Sequence, residues 1–461
     1  MKHLLSFLLF LLPIISTAQN NIQYSEPFDE PNSFRQLLYI LDNGNTVFLR
    51  MSEDEGIQVD IYDTEHKKIK SAVSENSQWT DRKLSASTLR SSFEANGDIV
   101  LFITQLHRKN MLKLHRIIIS TETGKITKAE ELDEIPTRRA WGYDLEVNTS
   151  LYISNDYYVS KDLVSGKYAI VTFEGYTKDK TDKVKLSVYD TDHKLISETY
   201  LSKEINTAEL THFGEVYMHD NIVYICTNDY NRKSKSMNTP IYLSKYDVAE
   251  NKLETKKLSL TPVSITSTNS IVYDPKTKKL VLLTTTLTDH DTKSSFGVYT
   301  TMDKFASILT YLDPNSLDIL YSDRVRTPKT NKFAKDNLGM KNGFDVIKPS
   351  ISINNNNRVV LQDSKNVSSV QNKGSGPYGN KLAVIFLKDN GIEDDVYIVQ
   401  SSGYPQYLST KNGNYIISNE VPSSFNKEQD EKQEGGFTLS DRSALLYKLS
   451  PNGIKMILLF H

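Results

Sequence analysis

Five acids, Glu53, Glu174, Asp229, Asp363 and Glu420, each stand at the end of a run rich in apolar residues. Two carboxylates flanking a glycosidic oxygen suffice for glycan cleavage, one giving a proton while the other acts as base or nucleophile. A second constellation is aromatic and basic: Trp79 is followed by Arg82, and Trp141 lies between Arg138, Arg139 and Tyr143. An indole beside a guanidinium can stack a sugar ring or aromatic group and fix its polar edge. The plainer role for such an indole is an apolar wedge between packed sheets. The third is the segment "DRVRTPKTNKFAKDNLGMKNGFDVIKPS", with Arg324, Arg326, Lys329, Lys332, Lys335, Lys341 and Lys348 against few acids. Its charge suits an anionic glycan, lipopolysaccharide or an acidic protein patch. A solvated loop neutralised by "NKEQDEKQEGG" is the bland counterpart.

Other chemistry finds no pattern. His107 and His290 fall in different loops, and no His-x-x-x-His, Asp-x-Asp-x-Asp-Gly or His-Glu pairing supplies a metal shell. Gly374-Ser375-Gly376 lacks the strand-turn-helix context of a nucleophile elbow. Cys226, the one cysteine, lies in the apolar run "NIVYICTN" and reads as a small buried thiol. No catalytic residue, metal or cofactor is therefore assigned.

The chain opens "MKHLLSFLLFLLPIISTAQN", with one lysine, an apolar run from Leu4 to Ile15 and small residues before Gln19. That is the layout of a secretory signal peptide cut after Ala18. The run is too short to span a bilayer, and no later stretch reaches that length. The expectation is an exported protein, periplasmic or extracellular, soluble after cleavage. A formal charge of −2 gives no general attraction to nucleic acid. Tyrosine, at 26, outnumbers phenylalanine, at 17, a bias that suits pleated, half-exposed surfaces.

These residues must be positioned by strands, and the strands repeat. "IYDTEHKKI" from Ile61 returns as "VYDTDHKLI" from Val188, each between alternating runs. The same grammar recurs in "KLHRIIISTETGKITKAEEL", "IYLSKYDVAENKLETKKL", "ILTYLDPNSLDILYSDRV", "AVIFLKDNGIEDDVYIVQ" and "LLYKLSPNGIKMILLF". Each hairpin follows another, such as "LLYILDNGNTVFLRM", whose second strand is more apolar and whose turn is marked by Asn-Gly or its equivalents. The repeat unit is thus four antiparallel strands, and seven units can be counted.

On this strand grammar the chain resembles the seven-bladed β-propeller superfamily, from about Phe34 onward. It carries no Trp-Asp repeats, kelch glycine pairs or Asp-box signatures, so the resemblance implies an all-β fold and names no activity. Six or eight blades is the alternative, because the segment between Asp323 and Ser350 has room for extra structure. The expected organisation is a signal peptide over 1–18, a lead-in over 19–33 and one propeller domain over 34–461. The ring is expected to close by packing, without a strand exchanged between the first and last blades. In such an array the turns joining strands one to two and three to four share one end. The longer connections share the other and lengthen along the chain, and exposed loops on a rigid scaffold are where binding groups gather. The sequence therefore predicts a monomeric binding or scaffold protein for a protein or glycan of the cell envelope, with a glycan-active hydrolase or lyase as the alternative.

Mass spectrometry of protein recovered from the envelope or medium is expected to find Gln19 at the N-terminus. An intact Met1 on cytosolic protein would remove the export reading.

Overall fold

The structure is a computed structural model that describes residues 35–107, 111–136, 156–174, 183–201, 210–230, 241–260, 266–287, 305–330, 332, 350–353, 358–363, 380–401, 406–410, 413–419, 444–450 and 453–460. Among the described residues, twenty-eight strands form seven four-stranded antiparallel sheets, each built from four consecutive strands. Blade 1 holds β1 (Arg35–Ile40), β2 (Thr46–Ser52), β3 (Gly56–Tyr62) and β4 (Lys68–Ser74). Blade 2 holds β5 (Ser87–Ala95), β6 (Asp98–His107), β7 (Met111–Ser120) and β8 (Ile126–Pro136). Blade 3 holds β9 (Asp156–Lys161), β10 (Tyr168–Phe173), β11 (Val184–Tyr189) and β12 (Leu195–Tyr200). Blade 4 holds β13 (Leu210–His219), β14 (Ile222–Tyr230), β15 (Ile241–Asp247) and β16 (Lys252–Leu258). Blade 5 holds β17 (Thr266–Asp274), β18 (Lys279–Leu287), β19 (Phe305–Leu312) and β20 (Ile319–Arg324). Blade 6 holds β21 (Ser350–Ile353), β22 (Arg358–Asp363), β23 (Asn380–Leu387) and β24 (Ile392–Ser401). Blade 7 holds β25 (Gln406–Thr410), β26 (Gly413–Asn419), β27 (Ala444–Ser450) and β28 (Gly453–Phe460).

All seven expected hairpin pairs are present, and the blade count is seven. After β20 the chain enters a helical turn at Pro328, started by Thr327, whose Oγ1 accepts the Thr330 amide at 3.1 Å. The expected signal and lead-in segments lie outside the described residues.

First strands touch their counterparts in the next blade (β5 with β9, β9 with β13, β13 with β17, β17 with β21), so they form the hub. The second strands are buried on both faces: Ile99, Val100, Leu101, Phe102 and Ile103 of β6 are all buried, as is every residue of β10. Such continuous apolar runs occur where a sheet is covered on both sides. The outer strands β4, β12 and β20 are mostly exposed. Among the described residues six apolar clusters fill the junctions from blades 1 and 2 to blades 6 and 7. Among the described residues, no strand is shared between blades 1 and 7. On blade 1, Leu37 and Tyr39 pack toward blade 2, while Leu38 and Ile40 of the opposite face are each 65% exposed.

The recurrent "YD-T" turn has a definite chemistry. Asp63 Oδ1 accepts the amides of Glu65 and Lys67, and Asp190 Oδ1 accepts those of Asp192 and Lys194, all at 2.9–3.0 Å. His66 and His193 take positive φ, 63° and 65°, and the ladder slips at Tyr62 and Tyr189. This is a tight turn followed by a left-handed residue and a bulge. Asn251 and Leu317 are left-handed one position later, four residues after Asp247 and Asp313, in a turn one residue longer.

These turns also bind one blade to the next. Tyr224 of blade 4 donates to the Pro314 carbonyl of blade 5, and Tyr311 of blade 5 donates to the Lys388 carbonyl of blade 6. Asp162 of blade 3 accepts the Asp220 and Asn221 amides of blade 4. Burial pushes the Asp162 carboxyl up, but hydrogen bonds led by Ser165 and Asn221 outweigh it and hold the group below its usual range. Arg358 of blade 6, 8% exposed, reaches Asp274 of blade 5, fully buried, at 2.6 Å; it also contacts Asp389 at 2.9 Å and donates to the Lys388 carbonyl at 3.0 Å.

Removing one partner of a buried pair leaves an uncompensated charge, which costs about 3–5 kcal/mol. Arg358→Met is expected to lower the unfolding free energy by that amount in a denaturant titration. A change under about 1 kcal/mol would show that the junction does not depend on the guanidinium.

Candidate functional site

The opposite end of the blades carries the strand-two-to-three and blade-to-blade connections. The former grow from residues 53–55 in blade 1 to 420–443 in blade 7. Where this end is described, it is best seen between blades 1 and 2. The connection after β4 makes 3-10 turns at Asn76–Gln78 and Leu84–Ala86. Asn76 Nδ2 donates to the Ser52 carbonyl at 2.8 Å, and Glu53 Oε1 accepts the Ser85 amide at 2.8 Å. Thr80 Oγ1 donates to Gln105 Oε1 at 2.6 Å, Gln105 Nε2 donates to Ser87 Oγ at 2.8 Å, and Arg82 Nη2 donates to the Leu106 carbonyl at 3.2 Å.

This stitching sets Trp79 into the junction of blades 1 and 2, where it is 8% exposed and belongs to the apolar cluster. Its ring meets His115 edge-on, with centroids 5.9 Å apart, and His115 in turn faces His107 at 6.2 Å. The blade 2 face changes character along its length. Ile99, Leu101 and Ile103 fill its lower part, while Gln105, His107, Lys113 and His115 follow above. Lys113 is paired with Glu131 at 2.8 Å and Glu134 at 3.2 Å. Burial, then the cations Lys113 and Arg82, holds His107 below the usual imidazole range; burial likewise comes first in lowering His115. The Trp79 Nε1, His107 Nε2 and His115 Nε2 atoms are all buried without a hydrogen-bond partner.

Trp79 and Arg82 are thus brought into one cluster, with the indole in the wedge position. Arg138, Arg139, Trp141 and Tyr143 lie outside the described residues, as does Lys335. Arg326, Lys329 and Lys332 are exposed and Arg324 is half-buried. Of the five acids, Glu53 is engaged as above and Glu174 is half-buried, its amide donating to the Lys183 carbonyl at 2.7 Å. Asp229 is the penultimate residue of β14 and Asp363 the last of β22, both with side chains outside the described set, and Glu420 lies outside it altogether. Cys226 is buried. Among the described residues, no group of three or more His, Cys, Asp or Glu side chains converges on a shared metal position, and no helix is long and apolar enough to cross a membrane.

Two features escape sequence reasoning. The first is the His107–His115 pair, which only the β6–β7 register assembles. The second is Glu215, on β13 beside a bulge at Phe213. Burial pushes its carboxyl up to about 7 against a weaker opposing hydrogen bond from the Val216 amide. Tyr158 of blade 3, stacked on Phe213 at 3.9 Å, feels the Glu215 charge. The one sequence signal was a lone acid in the inner strand "FGEVYM".

No family model matches the chain, and no curated protein matches it. Among solved structures it is similar to an acylaminoacyl peptidase of Pyrococcus horikoshii, at 9% identity and TM-score 0.39, over 82% of this chain and 47% of that one. It therefore spans about half the length of that peptidase. It is also similar to the WD40 domain of SCAP from fission yeast, at 8% identity and TM-score 0.40, over 89% and 80% of the two chains. The β-propeller domain of the Trilobed protease from Pyrococcus furiosus gives 10% identity and TM-score 0.36, over 80% and 83%. Likeness at this level carries no activity across. The fold is that of a seven-bladed β-propeller, read from the seven sheets themselves.

Glu215 gives the fold a pH dependence whose sign is fixed. Its folded pKa of about 7 exceeds the ordinary 4.5, so between those values the native state holds a proton that the unfolded state has lost. Stability from this group is present below pH 4.5 and falls as pH rises through 7. Thermal melts from pH 5 to 8 are expected to show Glu215→Gln losing about 2–3 kcal/mol less than the parent. Parallel profiles would show that the carboxyl is ionised throughout.

Proposed function

We propose that this protein is an exported binding module that engages a protein or glycan of the cell envelope through the end of the propeller bearing the long connections. One observation carries the reading: the two ends are unlike. At the short-turn end, aspartates, lysines and tyrosines are committed to blade-to-blade hydrogen bonds, including Lys245 to the Asn315 carbonyl, Lys256 to the Ser316 carbonyl and Lys279 to Asn390. By strand order, the longer connections begin and finish at the other end. In a repeat scaffold, stability resides in the units and their junctions, so such material is free to serve recognition. Arg324, Arg326, Lys332 and Lys335 supply the positive charge for an anionic partner.

A second reading, a glycan-active hydrolase, is favoured by Glu215 alone. A carboxyl that keeps its proton near neutrality is what a general acid requires. Turnover of a glycan panel by the parent, abolished in Glu215→Gln, would establish it.

The binding reading is tested by replacing residues 364–379 and 420–443 with short turns. The trimmed protein is expected to melt like the parent yet lose its partner in pull-downs from envelope extract. Charge reversal at Lys332 and Lys335 should weaken capture in a salt-dependent manner. Undiminished capture by the trimmed protein would remove this end's later blades from the interface.

A further inference from the structure

We propose that His107 and His115 together bind a divalent transition-metal ion at the upper end of the junction between blades 1 and 2. The strand register carries the geometry. His107 pairs with Met111, and His115 pairs with Ile103, four positions lower on β6. At about 3.3 Å per residue the two backbones are roughly 13 Å apart, yet the ring centroids are separated by 6.2 Å. The rings therefore reach toward one another across the row occupied by Gln105 and Lys113. Each presents a buried Nε2 with no partner, and His115 is 92% buried by its 8% exposure.

Imidazole nitrogens bind such ions at about 2.0–2.1 Å. Two ring edges spaced as these are suit a single ion shared between them. Three further observations agree. Trp79 packs edge-on against His115, itself buried, so the ion would be shielded from bulk water on the His115 side. Burial favours the neutral imidazole, the form that offers a lone pair to a metal. The facing charges balance, with Lys113 and Arg82 set against Asp81 and Glu131. Glu131 is already held by Lys113. The chain therefore contributes two ligands, and the remaining positions fall to water or to a donor from whatever docks on this end. A bound water is the competing occupant, since it too would satisfy paired nitrogens. The metal site stands or falls independently of partner capture.

Trp79 supplies a built-in reporter, 5.9 Å from His115 by ring centroids. In the full chain carrying Trp141→Phe, Co²⁺ titration at pH 7.5 is expected to quench Trp79 fluorescence to saturation at one equivalent. Competing Zn²⁺ should restore it. Adding His107→Gln or His115→Gln should shift the midpoint about tenfold or more, in variants whose metal-free melting matches the parent. If one substitution disturbs folding, the other serves as the test. Linear, unsaturated quenching, or a midpoint indifferent to both substitutions, would mean an adventitious ion only and overturn the proposal. Absence of quenching would overturn it equally.

Discussion

The sheets of blades 2 to 6 are covered on both faces by their neighbours, and that requirement shapes everything else. A second strand such as β6 or β10 has almost no solvent side, so its alternation disappears: Ile99 to Ile103 run unbroken in β6, and all of β10 is buried, Thr172 included. Full burial of such side chains contributes about 1.5–3 kcal/mol each before ordering costs. The gain is realised only when a neighbouring sheet is present, because the apolar clusters span blades and do not lie within them. Hydrophobic cohesion is thereby spread around the array, which lets a chain this long fold without one large core.

In blades 2 to 6, covering both faces leaves the outer strands and the two ends to meet other molecules, and the ends have diverged. At one, aspartate-capped turns place left-handed residues at fixed positions and pass hydrogen bonds from blade to blade, with Asp162 and Arg358 each serving two blades. A surface whose polar groups are so committed has little left for a partner. At the other end, in the stretch between blades 1 and 2, the connection is stitched down equally well, yet three ring nitrogens remain buried and unmatched. Buried polar atoms are almost always satisfied, so a cluster of such atoms points to something that completes it.

Local rules made the fold legible. Alternation, Asn-Gly and Asp-Thr turns act within a few residues, and seven repetitions reinforce the pattern; even the near-identity of "IYDTEHKKI" and "VYDTDHKLI" reduces to one hydrogen-bonding solution used twice. The histidines illustrate the limit. His66 and His193 look like a pair in the sequence but occupy equivalent turns of separate blades, two copies of one backbone position. His107 and His115 look unrelated and meet, because strand register and side-chain reach bring them together. Trp79 was conspicuous by type, but its depth in the junction follows from the hydrogen bonds of Asn76, Thr80 and Glu53. Glu215 gave no signal in the sequence beyond a lone acid in an inner strand, and its burial beside the β13 bulge follows from packing that no local rule encodes.

The central claim is that one end of the propeller is structural and the other is for contact. Site-specific photo-crosslinking in the producing cell addresses it directly, with the reactive residue placed in turn at Glu65, Asp192 and Asn315 on the short-turn end and at Asp54, Arg82 and Lys332 on the other. Adducts of defined mass confined to the second set are what this account predicts. Adducts from the first set, with none from the second, would contradict it.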